Sequence, residues 1–262
     1  MKPLLSFVQF SDTHIGPSRD YARYDHPSLP SLERLIDTLN DLPEPPEFLI
    51  HTGDISHNQS PESYELAAEV LARFQMPIYY VNGNHDLPGM VRQYLHAPDH
   101  ASGDPAAPLD YTFEVKGERF LVLDGQNPDV PDPSGLLRDS QLDYAREVVA
   151  SGDGPLTVLL HYVPFRMASP WLDEHMILRN GDALHAILKP ARDRLRGVFF
   201  GHLHRSCQIH RDGIAYTCGP STFVQYGWRP WDVEPAVDHD YPPSYNFIQY
   251  FSDRVIVNQY TF

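Results

Sequence analysis

The chain predicts an α/β fold, and two observations carry that prediction. Short apolar runs at 4–10, 48–50, 78–81, 156–160 and 198–200 alternate with segments whose apolar residues recur at helical spacing. Each of these runs is followed closely by residues suited to metal binding: Asp12-Thr13-His14, Gly53-Asp54, Gly83-Asn84-His85-Asp86, His161, and Gly201-His202-Leu203-His204. One such fragment is weak evidence. Five in order, each after a hydrophobic run, describe strands that deliver donors to a common place.

The elements follow in sequence. Residues 4–10 read as a strand, and Leu32, Leu35, Ile36 and Leu39 mark a helix that Pro43 stops. A buried strand at 48–50 leads to Gly53-Asp54, and Ser60-Pro61 supplies an N-cap and first-turn proline for a helix reaching about residue 74. The strand at 78–81 ends at Gly83-Asn84-His85-Asp86. Residues 111–115 and 119–123 flank Lys116-Gly117-Glu118 and read as a hairpin. Leu142, Ala145 and Val149 share one face of a helix over 140–149, and strands at 156–160 and 198–200 deliver His161, His202 and His204. Further strands are expected at 206–210, 214–218, 246–251 and 254–260. Two stretches, 96–109 and 219–245, show no regular pattern; the second carries Tyr226, Trp228, Trp231 and Tyr241. With no repeat and no linker, residues 1–262 are read as one domain.

Composition narrows the function class. At 42% hydrophobic and 21% charged residues, the chain is ordinary for a globular protein. A net charge of −15 argues against a nucleic-acid polymer as partner, because binding a polyanion needs a basic face. Cys207 and Cys218 form no C-x-x-C pair and read as buried thiols. The N-terminal apolar run is too short for a signal peptide, and no stretch is long enough for a membrane span. These features predict a soluble, cytoplasmic protein without a membrane partner.

The five segments carry the chemistry. In extended backbone, residues i and i+2 point the same way, so Asp12 and His14 can grip one ion, and His202 and His204 can reach two neighbouring ones. Asp54 suits a bridge between two ions, Asn84 supplies a neutral oxygen, and His161 adds an imidazole. Nitrogen and oxygen donors without thiolate favour Mn, Fe or Zn. Two such ions leave the pocket slightly cationic within an acidic protein, which suits a phosphate. Spaced about 4 Å apart, they lower the pKa of a shared water and clamp both oxygens of an in-line displacement. His85, beside Asn84, points elsewhere and is free to protonate the leaving oxygen or hold the phosphoryl group. Asp86 is read either as orienting His85 or as capping the following helix. The nine histidines outside the segments keep a structural reading, except that His51 and His57, flanking Asp54, are candidates for supporting or substrate contacts.

The order D-x-H, G-D, G-N-H-D, H, G-H-x-H resembles the calcineurin-like metallophosphoesterases across residues 8 to 204. The resemblance implies a four-layer α/β/β/α sandwich. It implies Asp12, His14, Asp54 and His204 around a first ion and Asp54, Asn84, His161 and His202 around a second. The family's catalytic histidine maps onto His85, assisting in-line attack by a metal-bridging hydroxide.

Within the superfamily the chain looks most like the bacterial class III, Icc-type cyclic-nucleotide phosphodiesterases. The stretches that carry this are Ser60-Pro61-Glu62-Ser63-Tyr64; Ser169-Pro170-Trp171-Leu172-Asp173-Glu174-His175 with Leu178-Arg179-Asn180; and Gly219-Pro220-Ser221-Thr222 with Gln225. Tyr162 stands where that group usually has a second His, and is a further candidate for a supporting or substrate contact.

The protein phosphatases read G-D-x-x-D-R-G and G-N-H-E, which this chain does not. The expected substrate is therefore a small phosphodiester, 3′,5′-cyclic AMP first. The alternatives are a general phosphodiesterase or phosphomonoesterase and a non-catalytic scaffold, although scaffolds of this kind lose ligands that are all present here. The aromatic residues of 219–245 suit a wall for a purine; a homodimer contact is the competing reading.

Overall fold

The computed structural model describes residues 2–98 and 104–262. Part of the patternless stretch 96–109, and His100 within it, lies outside the described residues. Two sheets stack face to face. The first has five strands in the order Val255–Thr261, Ser244–Tyr250, Leu5–Phe10, Phe48–His51, Ile78–Tyr80. The second has six: Cys207–Arg211, Ile214–Cys218, Leu195–Phe200, Leu156–Leu159, Glu118–Val122, Tyr111–Val115. In the first sheet Leu5–Phe10, Phe48–His51 and Ile78–Tyr80 run parallel and the antiparallel pairings lie on one side; in the second the four central strands run parallel with an antiparallel strand at each edge.

Strand Leu5–Phe10 explains the layering. All six residues are buried, as expected of a strand covered on both faces. Phe7 points between the sheets, where its ring lies 5.1 Å from Phe48, 5.3 Å from Tyr250, 5.7 Å from Phe120 and 5.8 Å from Phe199. Phe10 points the other way, onto Phe74. Helices Leu29–Asn40, Pro61–Leu71 and Pro88–Leu95 cover the outside of the first sheet, and Asp139–Ala150 and Gly181–Leu188 the outside of the second. This is the α/β/β/α sandwich. Phe7→Ala opens a hole at the centre of both sheets and is expected to cost about 3–5 kcal/mol, read from the chemical-denaturation midpoint.

The local signals behave as the physics predicts. Ser60 Oγ accepts the Ser63 backbone N–H at 3.3 Å, capping a helix whose first residue is Pro61. The segment 219–245 needs correction. It contains the paired strands Tyr226–Gly227 and Ala236–Val237, and residues 221–225 are buried. Its order comes from long-range backbone bonds, Thr222 N–H to Ser11 C=O at 3.0 Å and Tyr226 N–H to His204 C=O at 3.0 Å, which leave no periodic trace. The sequence reading does not anticipate helices Pro170–His175 and Gly181–Leu188; six and eight residues give too little periodicity to read. Cys218 is buried, Cys207 only partly, and both are free thiols. Among the described residues, no helix is long and apolar enough to cross a membrane.

Candidate functional site

The C-terminal ends of the parallel strands from both sheets open at the same end of the sandwich, where ligand sites of α/β sheets form. Asp12 and His14 follow Leu5–Phe10, Asp54 follows Phe48–His51, Asn84 follows Ile78–Tyr80, His161 follows Leu156–Leu159, and His202 and His204 follow Leu195–Phe200. The backbone there differs from expectation. Asp12, His14, Asp54, His202 and His204 have φ of 54°, 45°, 58°, 72° and 49°, so they occupy the left-handed region and not extended strand. Strand alternation therefore does not aim these side chains. Successive left-handed kinks just beyond the strand ends do, at a conformational cost of about 1–3 kcal/mol each that such sites characteristically carry.

Two glycines allow the loops to approach. Gly53 has φ 97°, and a Cβ there would sit 2.5 Å from His161 Nδ1. A Cβ on Gly83 would meet Asp54 Oδ1 at 2.2 Å.

The donors form two groups that share Asp54: Asp12, His14, Asp54 and His204 in one, and Asp54, His161 and His202 in the other. His14 Nε2 lies 3.0 Å from His204 Nε2, and His161 Nε2 lies 3.0 Å from His202 Nδ1 and 3.3 Å from Asn84 Oδ1. Asp54 Oδ2 stands between the groups, 3.6 Å from His14 Nε2 and 3.4 Å from His161 Nε2. Backbone carbonyls set the tautomers. His161 Nδ1 donates to Thr52 C=O at 2.7 Å and His204 Nδ1 to Val224 C=O at 2.9 Å, which turns each Nε2 inward; at His204 that nitrogen carries a lone pair, whereas at His161, against burial, Asp54 and Asp12 raise the pKa to about 9, so a cation bound there would take the place of the Nε2 proton. Asp12 Oδ1 and His202 Nε2 are buried without a hydrogen-bond partner. Inward ring nitrogens and an orphaned carboxylate oxygen among nitrogen and oxygen donors fit divalent cations.

Burial lowers the proton affinity of His14 and His202 well below the ordinary imidazole value and that of His204 to about 4, so these rings stand neutral and ready as ligands. Burial pushes the Asp54 carboxyl up, but His161 and His85 outweigh it and hold it well below the usual range. Asp12 is raised to about 7 by burial and by the Asp54 charge, against the pull of His161.

His85 sits beside both groups. Its backbone N–H donates to Asp54 Oδ1 at 2.9 Å, and its Nδ1 donates to His57 C=O at 2.7 Å, leaving Nε2 unengaged by that bond. The reading of Asp86 is corrected twice over. It neither touches the His85 ring nor caps the next helix, whose N-cap is Leu87 with no side-chain bond. Its buried carboxylate accepts the N–H groups of Ile55, Ser56 and Gly83 and the Tyr64 hydroxyl at 3.0–3.2 Å, tying the Asp54 loop to the Asn84 loop. Asp86→Ala leaves three buried N–H groups unpaired; a loss of roughly 3–5 kcal/mol is expected, measured as a fall in Tm.

The other candidates fall close by. His57 lies with its Nδ1 3.5 Å from His14 Nδ1 and its ring stacked on His85 at 5.1 Å. Burial, with His85 and Arg23 nearby, lowers its pKa to about 4. Tyr162 is fully buried, its ring centroid 5.2 Å from that of His161 and 5.0 Å from that of His202, so it backs the imidazoles. His51 is buried with Nε2 3.0 Å from Thr13 Oγ1, a structural role.

A cavity of about 380 Å³ opens over the donors and is lined by Tyr24, Trp171, Phe223, Tyr226 and Trp228. Trp231 is 73% exposed and takes no part. Arg23 was missed: among the described residues it is the single Lys or Arg lining this cavity, with Nη1 3.2 Å from His57 Nε2 and its guanidinium 4.6 Å over the Tyr24 ring. It arrives on a two-residue strand, Ala22–Arg23, in a segment without periodicity, and nothing in the sequence sets it apart from Arg19 four residues earlier.

Comparison with known proteins matches this geometry. A calcineurin-like phosphoesterase family model matches residues 5–206. The chain is 28% identical to the 3′,5′-cyclic adenosine monophosphate phosphodiesterase CpdA of Pseudomonas aeruginosa, over 94% of this chain and 85% of that protein. It is 27% identical to the protein of the same description from Vibrio vulnificus, over 89% and 81%. Among solved structures, a dimetal phosphatase from Danio rerio shares the fold at 15% identity and TM-score 0.73, over 99% of this chain and 97% of that one. GAP50 of Plasmodium, an anchor in the inner membrane complex, does so at 12% identity and TM-score 0.57, over 98% and 84%. Because the family match runs from the first strand to just past His204 and takes in all five converging loops, this chain belongs to the calcineurin-like phosphoesterases, hydrolases that work with divalent metal ions.

Proposed function

We propose that the protein is a phosphodiesterase for small phosphodiesters, with 3′,5′-cyclic AMP as the first candidate. The observation that carries this reading is the pair of donor groups sharing Asp54, with His85 at their edge and an aromatic cavity above. Asp12, His14, Asp54 and His204 would hold one ion and Asp54, Asn84, His161 and His202 the other, with Mn, Fe or Zn suiting the donors. Bound there, two such ions supply a water of lowered pKa and a clamp on the attacking and leaving oxygens.

The chain's own residues do the rest. Thr52 and Val224 keep Nε2 of His161 and of His204 turned inward. The His57 carbonyl holds the His85 ring so that Nε2 can give a proton to the leaving oxygen. Arg23 adds a cation for a non-bridging phosphoryl oxygen. Tyr226, Trp228 and Trp171 offer faces for a purine. A diester monoanion needs fewer donors than a monoester dianion, which favours the diester here. The CpdA descriptions of the relatives support the cyclic nucleotide.

The test is kcat/KM for cyclic AMP, bis(p-nitrophenyl) phosphate and p-nitrophenyl phosphate in manganese buffer. Both diesters are expected to exceed the monoester, and a chelator to remove all turnover until manganese is returned. A monoester preferred by about tenfold with cyclic AMP untouched would replace this reading with a general phosphatase.

A further inference from the structure

We infer that Cys207 and Cys218 form a modification site: hydrogen peroxide joins them in a reversible disulfide, and that bond slows the site by moving the segments that hold His202, His204 and Asp12. The effect on turnover rests on the phosphodiesterase reading; the bond itself does not. These two are the only cysteines of the chain. They stand directly opposite each other in the antiparallel pair formed by Cys207–Arg211 and Ile214–Cys218. Residues so paired have Cα atoms about 4.5–5.5 Å apart, inside the range that a disulfide spans. The thiols already interact. Burial first, and then the adjoining Cys207 thiol, hold the Cys218 pKa well above the ordinary thiol range.

Access assigns their roles. Cys218 is buried, whereas Cys207 is partly exposed on an edge strand of the six-stranded sheet. Cys207 therefore meets a dissolved peroxide, and Cys218 resolves the product. In the first step the Cys207 sulfur attacks one peroxide oxygen and the O–O bond breaks. The thiol proton leaves with the departing hydroxide as water, and Cys207 becomes a sulfenic acid. In the second step the Cys218 sulfur attacks the Cys207 sulfur and the S–O bond breaks. The hydroxide leaves with the Cys218 proton as a second water. The thiols together give up two electrons, and the peroxide takes them. A dithiol reductant reverses the change and is itself oxidised to a disulfide.

The pair lies where the hairpin meets the donor loops. Cys207 is three residues beyond His204. Cys218 pairs on its other side with Phe200, two residues before His202, and its S–H donates to Gly201 C=O at 3.1 Å. A disulfide takes that donor away. It also draws the strand ends together by about 1 Å, because opposed Cβ atoms in a sheet sit farther apart than those of a disulfide. From Cys218 the chain runs straight into the segment that braces the site. There Ser221 Oγ donates to Asp12 C=O at 2.9 Å, and Val224 C=O holds His204 Nδ1. One bond therefore acts on both sides of the donor cluster, and a displacement of about 1 Å is enough to slow a positioned reaction severalfold.

The experiment treats the manganese-loaded full chain with hydrogen peroxide and maps its peptides without reduction. Turnover of bis(p-nitrophenyl) phosphate and manganese affinity by calorimetry are measured before oxidation, after it, and after dithiothreitol. Cys207→Ser and Cys218→Ser are treated in parallel. Cys207 is the more exposed position, so a folding defect in the buried variant still leaves a control. The expected result is a Cys207–Cys218 linkage within one chain, turnover lowered by about threefold or more and restored by dithiothreitol, and no such reversible loss in either variant. Absence of the linkage, or a linkage between chains in its place, overturns the inference whatever the activity. A linked parent that loses less turnover than this overturns it as well. So does an equal loss in the parent and in Cys207→Ser, which places the damage elsewhere. If the reduced parent hydrolyses no phosphodiester, the activity reading fails and manganese affinity decides. A reversible weakening on linkage then supports the inference, and an unchanged affinity overturns it.

Discussion

Asp54→Ala is expected to remove phosphodiester turnover by about 10³-fold or more and to empty both ion positions. Its Oδ2 lies 3.6 Å from a nitrogen of one donor group and 3.4 Å from a nitrogen of the other, so a single truncation would take a candidate donor from each. It also removes the negative charge that offsets the burial of six converging donors. Without that charge, a second cation next to the first meets uncompensated repulsion. The fold should survive, because the core is built from the two sheets and their helices and Asp54 sits on a loop beyond them. Metal content by elemental analysis, turnover of bis(p-nitrophenyl) phosphate and Tm should be measured together. A variant that retains two ions per chain and full activity removes Asp54 from the bridging position. One that is merely unfolded decides nothing, which is why Asp54→Asn, equal in shape, belongs beside it; it should fold and still lose activity, since a neutral amide bridges poorly.

His85→Ala is expected to lower kcat by roughly 10²–10⁴ while both ions stay bound. The Nδ1–H bond to the His57 carbonyl fixes the ring, and Nε2 remains to exchange a proton with the leaving oxygen. The dependence on leaving group separates this role from simple support. A p-nitrophenolate departs without protonation, so aryl diesters should lose least and alkyl diesters such as cyclic AMP most. Equal losses on both, or loss of metal, would instead place His85 as a prop for Asp54, to which its backbone N–H is already bonded at 2.9 Å.

Much of the site was legible along the chain because donors at the ends of parallel strands must converge when the strands pack side by side. The seven predicted donors do converge, in two groups around Asp54 with Asn84 alongside. What failed was the local geometry. Alternation in extended strand was the expected way of aiming Asp12 with His14 and His202 with His204. The structure uses left-handed kinks, which leave no periodic signature and are legible only where glycine occurs, as at Gly53. Asp86 failed for a related reason: three of its partners are backbone N–H groups, those of Ile55 and Ser56 lying about 30 residues away, and backbone partners have no side-chain identity to read.

By itself, the order of residues determined the alternating α/β architecture, the helix started by Ser60-Pro61, the family, and which side chains gather at the strand ends. All of these depend on side-chain type at short spacing or at the ends of apolar runs. Only the tertiary structure decided that Arg23 and Trp171 reach the cavity while Trp231 does not. It alone showed that 219–245 is anchored on Ser11 and His204. These are matters of which distant segments lie against one another, and the shape of an enclosed space belongs to no single stretch of chain.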